Sequence, residues 1–484
     1  MPLPGKGTMS GISLGRVTAI LVVGRGVGFV LALGNAVILA RALGVNRLGA
    51  YAYAMGIAGL FGLLPNFGIS TIVTRTIARD PEAAGGVLKA AQRAQAVLAG
   101  GVFLVIITFA AILPGQPVPL GYVALAAAQL AIGTLSWPFL AVLGGSARYD
   151  RLAVAELAAG AAGTLFMLLA AVSEGGVAAF LWAHVLAAVV AVLVARRAAV
   201  PLLPQGRALA IRQAALLREA GPLGATAAVS SLYTRLDILL LGQMASTGVL
   251  GLYSAAYKPI NLAVSFGNTM GGTLLPLMAR EPQSGVPVAF ERAVRGLGIA
   301  GPALALALSG LGGPLLRLAF GADFAAAAPV LTLLAWSMTA NWLYAPLSVA
   351  LQARGRERWW LASLSGGLAL NLAGNVWAIP RWGAVGAAGA TLVSETALLS
   401  LAVLLLYRQL GIRPSLRPVL AALGATAAGG GALVVLWSAG PLAATAAALA
   451  VYGSLAALWR LVTGKDVAMV AGWLREATAG WSRA

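Results

Sequence analysis

The chain has 484 residues, with 33 Lys and Arg against 14 Asp and Glu and a net charge of +19, yet it is only 10% charged and 60% hydrophobic. Mean hydropathy is +0.89, and soluble domains are usually about 25% charged, so this chain cannot clothe itself in water-facing side chains. A soluble nucleic-acid-binding protein is excluded despite the basic balance, and the lack of cysteine excludes disulfides and thiolate metal sites.

Apolar runs of about twenty residues recur along the chain, the length a helix needs to cross a bilayer. Helices satisfy their own backbone hydrogen bonds in lipid, so the fold class is an all-α polytopic membrane protein with about fourteen transmembrane helices. The first half predicts spans at 17–40, 48–73, 94–113, 119–145, 152–173 and 175–195. The second predicts 221–243, 249–277, 296–316, 327–352, 359–379 and 384–407, and a final pair follows at 418–437 and 441–459. Lys6 and Arg16 precede the first run without a small-residue cleavage site, which reads as a retained span rather than a signal peptide.

Counting spans from a cytoplasmic N-terminus sorts the charges. Outside the spans, only Arg41, Arg47, Arg317 and Arg381 fall on the outer side, and the other Lys and Arg residues fall on the cytoplasmic side. This asymmetry is the signature of positive-inside topology, and it places both termini in the cytoplasm. It also accounts for the net charge without nucleic acid.

Leu250-Gly251-Leu252-Tyr253 repeats Leu48-Gly49-Ala50-Tyr51 at an offset of 202, and Ala279-Arg280-Glu281-Pro282 repeats Ala78-Arg79-Asp80-Pro81. A duplicated unit of about 200 residues follows. Six spans per copy is an even number, so the two six-helix lobes share one orientation and are related by a pseudo-two-fold along the membrane normal. The expected division is an N-lobe at 1–195, a linker at 196–220, a C-lobe at 221–410, a C-terminal helix pair at 411–462 and a cytoplasmic tail at 463–484. In the linker, Leu209, Leu216 and Leu217 alternate with Arg207, Arg212 and Arg218, as in an amphipathic helix lying on the leaflet.

Charge inside a span is costly and normally faces a cavity or a partner. Arg25, Arg235 and Lys258 each lie about 12–14 Å from a span end. Three cations converging between lobes suit a ligand with two or three negative charges, such as a diphosphate; the alternative pairs Arg235 or Lys258 with Asp237. Asp237 and Glu395 are the deep acids and are candidates for coupling to a Na⁺ or proton gradient. Asn35, Asn66, Asn341, Asn371 and Asn375 are in-span amides, candidates for sugar contact or for helix–helix hydrogen bonding. His184, the one histidine, reads as packed rather than catalytic. No P-loop, HExxH or Cys/His cluster occurs, and no resident cofactor is expected.

Several segments together resemble the polysaccharide/oligosaccharide flippases, the Wzx-like transporters of the multidrug/oligosaccharidyl-lipid/polysaccharide (MOP) exporter superfamily. These are Ile38-Leu39-Ala40-Arg41-Ala42-Leu43-Gly44 with Leu48-Gly49-Ala50-Tyr51, then Tyr233-Thr234-Arg235-Leu236-Asp237, and Gly251 to Tyr257. Phe320-Gly321-Ala322-Asp323-Phe324 and the stretch from Asn371 to Ala390 complete the set. Val23-Gly24-Arg25-Gly26-Val27-Gly28-Phe29 also looks like the first helix of the related lipid II flippase, where the matching arginine faces a central cavity. The resemblance implies alternating access, an inner-membrane location, and an undecaprenyl-diphosphate-linked oligosaccharide as cargo, handed to a downstream polysaccharide polymerase. Its alternatives are a lipid II flippase and an ion-coupled multidrug exporter. A membrane polymerase or ligase is disfavoured because the outer loops are short and hold only Glu174 and Asp323 as acids.

Overall fold

Among the described residues every regular element is a helix. The computed structural model describes residues 14–203, 231–280, 288–410, 416–459 and 461. The predicted amphipathic helix of the linker and the 463–484 tail lie outside them, as does the side chain of Arg25. Among the described residues nine helical segments are long and apolar enough to cross a membrane, so the chain is a multi-pass membrane protein; the count of fourteen is a hydropathy expectation.

The N-lobe begins with α1 (Leu14–Leu60), bent at Gly44. That residue has φ 66, a left-handed conformation that glycine adopts without a Cβ penalty, so α1 comprises two helices that meet at Gly44 and fall in two predicted spans. Then come α2 (Ile69–Arg79), α3 (Ala84–Ile112), α4 (Leu120–Thr134), α5 (Trp137–Gly145), α6 (Tyr149–Val172) and α7 (Gly176–Ala199). The C-lobe has α8 (231–244), α9 (Thr247–Arg280), α10 (Val288–Phe320), α11 (Ala328–Ala353) and α12 (Glu357–Leu410). α12 likewise holds two predicted spans, turning at Gly383 (φ 52) just after Pro380. The final pair, α13 (Leu416–Val435) and α14 (Pro441–Leu458), packs on α10. There the Tyr452 hydroxyl donates to the Ile299 carbonyl at 2.9 Å.

Two predicted spans are interrupted. The run 48–73 stops being helical at Leu60 and restarts at Ile69, across Pro65, Phe67 (φ 44) and Gly68 (φ 80). Proline lacks the amide hydrogen that a helix requires, and the two left-handed residues reverse the local twist. The run 119–145 breaks at Leu135–Ser136, before Trp137-Pro138. Hydropathy is blind to both breaks, because the residues at them are as apolar as the helices they separate.

The lobes share one apolar core, at the end that the charge asymmetry predicts to be outer. Leu39, Tyr51, Tyr53 and Ile57 of α1 pack with Ile238 and Leu241 of α8 and with Leu250 and Tyr253 of α9. Away from that shared core each lobe has its own. Ile69, Ile72 and Ile77 pack with Phe139 and Val142 inside the N-lobe, whereas Phe290, Tyr344 and Leu364 pack with Leu398 inside the C-lobe. The described helices are thus joined at one end and independent at the other.

Candidate functional site

At the seam between lobes, glycines let α8 lie against α1. A Cβ at Gly56 would overlap the Ile238 side chain, and one at Gly242 would overlap the Tyr53 ring. The Ser231 hydroxyl donates to the Gly59 carbonyl at 2.9 Å, and the Gln243 amide bonds the Tyr53 hydroxyl. A Cβ at Gly59 would sit 3.2 Å from Nε of Arg235, so this glycine is what allows the guanidinium to reach the N-lobe.

Arg235 is an electrostatic neighbour of Lys258, and Lys258 in turn of His184 in α7. Two of the three predicted cations are therefore brought together at the lobe boundary. Among the described residues neither has a carboxylate within salt-bridge distance, so the alternative pairing with Asp237 is not formed. His184 is packed as expected, 2.5 Å from the Tyr51 hydroxyl through Nε2 and stacked on its ring.

Asp237 is instead enclosed by neutral donors. The Tyr253 hydroxyl donates to its Oδ2 at 2.7 Å, the Thr391 hydroxyl lies 2.9 Å from the same oxygen, and Nδ2 of Asn375 donates to Oδ1 at 3.1 Å. Asn375 also reaches Oδ1 of Asn371 at 3.0 Å, and Asn371 donates to the Ser394 hydroxyl at 3.2 Å. One turn beyond Thr391, Glu395 accepts from the Tyr233 hydroxyl at 3.1 Å through Oε1, and its Oε2 makes no hydrogen bond. Asn341 donates to the Tyr344 hydroxyl at 2.7 Å, while its Oδ1, like that of Asn375, lacks a donor. Asp237, Asn341, Asn371 and Glu395 line one cavity of about 340 Å³ within the C-lobe. This cavity holds two carboxylates and two unfilled acceptor oxygens, Oδ1 of Asn341 and Oε2 of Glu395, and among the described residues no Lys or Arg lines it. Buried acceptors without donors cost free energy that a proton or a metal cation recovers.

Asn66 sits elsewhere, in an N-lobe cleft of about 710 Å³ between α2 and α5. Its Oδ1 accepts from the Ser70 amide at 3.1 Å and from the Ser70 hydroxyl at 2.8 Å, capping α2 after the break. Asn35 lines neither cavity, and its buried Oδ1 has no partner. The amides predicted as one class thus divide among an N-lobe cleft, a C-lobe cluster and the α1 core. Sequence reasoning passed over Tyr253, Thr391, Tyr233 and Tyr344. The first and third stood in plain sight inside the quoted motifs, and Thr391 lies four residues before Glu395 on one helix face.

The family model described as "Polysaccharide biosynthesis protein" matches residues 14–281, more than half of the chain. The chain belongs to this family. No curated protein matches it. The fold is similar to that of the lipid II flippase MurJ in an inward closed conformation, with TM-score 0.71 at 12% identity, over 90% of this chain and 98% of that one. It is also similar to an inward-facing multidrug resistance MATE family transporter of the MOP superfamily, with TM-score 0.58 and 15% identity, over 84% and 96% of the two chains. A third likeness is a MOP superfamily transporter from Pyrococcus furiosus, with TM-score 0.58 and 14% identity, over 82% and 95%. The polysaccharide biosynthesis family member therefore carries the fold of the MOP exporters, as the sequence motifs implied.

Proposed function

We propose that this chain is a flippase that moves a polyprenyl-diphosphate-linked glycan across the inner membrane by alternating access, with both termini in the cytoplasm. The carrying observation is the pair of cations, Arg235 and Lys258, at the lobe boundary without acidic partners among the described residues. Intramembrane cations without partners need an anion, and a diphosphate provides two phosphates for them. Arg25 would join them from α1. The polyprenyl tail stays in lipid while the lobes rock, no covalent bond changes, and the glycan is delivered to a polymerase on the outer side. The family's role in polysaccharide biosynthesis supports this cargo over a peptidoglycan precursor.

The C-lobe cluster supports a second element of the reading, coupling to a cation gradient. Asp237 is buried among three neutral hydrogen-bonding groups with no cationic partner among the described residues, so its carboxylate is suited to take up Na⁺ or a proton. The same cavity, with its carboxylates, tyrosines and Trp360, is what an exporter of small organic cations would use. At about 340 Å³ it lies near the lower end for a ligand pocket, which favours an ion with its water.

The test is reconstitution into liposomes with a labelled polyprenyl-diphosphate oligosaccharide, read as protection or exposure of the glycan. The expectation is label crossing by wild type and at least tenfold slower crossing by Arg235→Gln/Lys258→Gln, two charged contacts being worth at least about 1.4 kcal/mol. Transport of a cationic dye, with the lipid left in place, would overturn the flippase reading and favour the exporter.

A further inference from the structure

The N-lobe cleft between α2 and α5 differs chemically from the C-lobe cavity. Its polar lining comes from one face of α2: Ser70 and Thr74 lie four apart, as do Thr71 and Arg75. The opposite face, Ile69, Ile72, Val73 and Ile77, is buried in the N-lobe core. A polar face on a span exposed to lipid would be costly, so this face belongs to a wet cleft. The Thr74 hydroxyl donates to the Ala141 carbonyl at 3.3 Å and ties α2 to α5.

Several donors in the cleft remain uncommitted. Oδ1 of Asn66 is used in capping α2, which leaves its amide hydrogens directed to other acceptors. Thr71 and Arg75 are exposed, and among the described residues Arg75 has no carboxylate within salt-bridge distance. Among the described residues no Asp or Glu lines the cleft. Facing this donor face from α5 is half-buried Trp137, a flat aromatic surface beside Leu140. Ser70, which Asn66 caps, and Arg75 stand about 7.5 Å apart along the α2 axis at helical rise, space for a phosphate and an adjoining sugar ring.

Resting on the flippase reading above, we propose that this cleft is a head-group recognition subsite. Arg75 holds a phosphate of the glycosyl diphosphate, and Asn66, Thr71 and Trp137 hold the first sugar. Guanidinium pairs with phosphate in bidentate fashion. Hydroxyl and amide donors match sugar oxygens, and the tryptophan face covers the apolar C–H face of the ring. In the topology set by the positive charges, α2 runs from mid-membrane to the cytoplasmic side, so the cleft meets cargo before the lobes rock. The Arg235–Lys258 pair then receives it at the boundary.

The experiment compares ligand retention by native mass spectrometry of the full chain. The ligands are a polyprenyl-diphosphate disaccharide, bare polyprenyl diphosphate and phosphatidylglycerol. Variants are Arg75→Gln, Arg75→Lys, Trp137→Leu and Thr71→Val, each checked for wild-type thermal unfolding. Arg75→Gln should weaken both diphosphates about tenfold, as loss of a charged hydrogen bond does, and Arg75→Lys should restore part of it. Trp137→Leu and Thr71→Val should weaken only the glycosylated ligand. Equal loss of phosphatidylglycerol in Arg75→Gln would make the cleft a general anionic-lipid contact and overturn the proposal. So would wild-type retention in all four variants, while loss in Arg235→Gln alone would leave the flippase reading standing. Failure of wild type to retain either diphosphate would sink both readings.

Discussion

Gly49 and Gly251 occupy the same position of the two sequence repeats, 202 residues apart, and they meet across the lobe boundary. A Cβ on Gly49 would overlap the Thr247 carbonyl and sit 2.9 Å from the Gly251 amide nitrogen; one on Gly251 would overlap the Val45 carbonyl and sit 3.2 Å from that of Gly49. The contact is reciprocal, so the pseudo-two-fold axis passes between them. Equivalent tyrosines flank it: Tyr51 bonds His184 in the N-lobe and Tyr253 bonds Asp237 in the C-lobe.

This backbone-to-backbone approach closes the face that the charge asymmetry predicts to be outer, and any side chain there wedges it. Gly49→Val and Gly251→Val should both raise the outward-open population. The chain has no cysteine, so a single engineered Ala256→Cys reports opening through labelling by a membrane-impermeant maleimide. Labelling should rise severalfold in either variant. Unchanged labelling in both would mean that the seal lies elsewhere.

Arg41 bolts the same face. Its guanidinium donates to the Ala319 carbonyl at 2.9 Å and the Leu318 carbonyl at 2.6 Å, at the C-terminal end of α10, where a helix presents unsatisfied acceptors and partial negative charge. Arg41→Ala removes two charged hydrogen bonds, each worth roughly 1.5–3 kcal/mol at most in a partly exposed site. The expected outcome is the same rise in labelling, with Arg41→Lys intermediate because a lysine contributes a charge without the planar fork.

Gly59 is predicted to matter for transport through Arg235. Gly59→Leu should push the guanidinium away and slow lipid flipping about as much as Arg235→Gln does. Because both act on one contact, the double variant should be no slower than the worse single variant. Additive losses in the transport assay would disprove the link.

Asp237 should govern cation response. If a bound cation neutralises the carboxylate, adding that cation raises the unfolding temperature by mass action. Na⁺ should stabilise wild type over K⁺, and Asp237→Asn should abolish the difference while unfolding at a similar or higher temperature, since a buried anion has been removed. A stabilisation on acidification that is indifferent to Na⁺, and lost in Glu395→Gln, would assign the coupling to protons.

The helical class, the duplication and the in-span charges were legible because lipid imposes strict rules. An uncharged run of about twenty residues has few alternatives in a polytopic chain, and a lysine such as Lys258 cannot sit in one by chance. What could not be read was which residues converge. Asn371 and Asn375 share a face by spacing, but nothing local says that this face meets Asp237 rather than a ligand. The breaks at Leu60 and Leu135 escaped because Pro65 alone marks the first, while the second precedes Pro138 by a few residues in an otherwise apolar run. Nothing local joins Arg75, just past the predicted span 48–73, to Trp137 inside the run 119–145, because their shared cleft exists only once those breaks have turned α2 and α5.

The interruption at Leu60–Gly68 separates two sets of allegiances within one predicted span. Above it, Tyr53, Gly56 and Gly59 are bonded to or packed against α8; below it, α2 is tied to α5 within its own lobe. The moving parts therefore need not coincide with the duplicated halves of the gene. A hinge at Pro65–Gly68 would let the outer half of this span travel with the opposite lobe, while the inner half stays behind with the cleft. Locking that loop between Leu63 and Gly68 should then arrest rocking without touching either cavity.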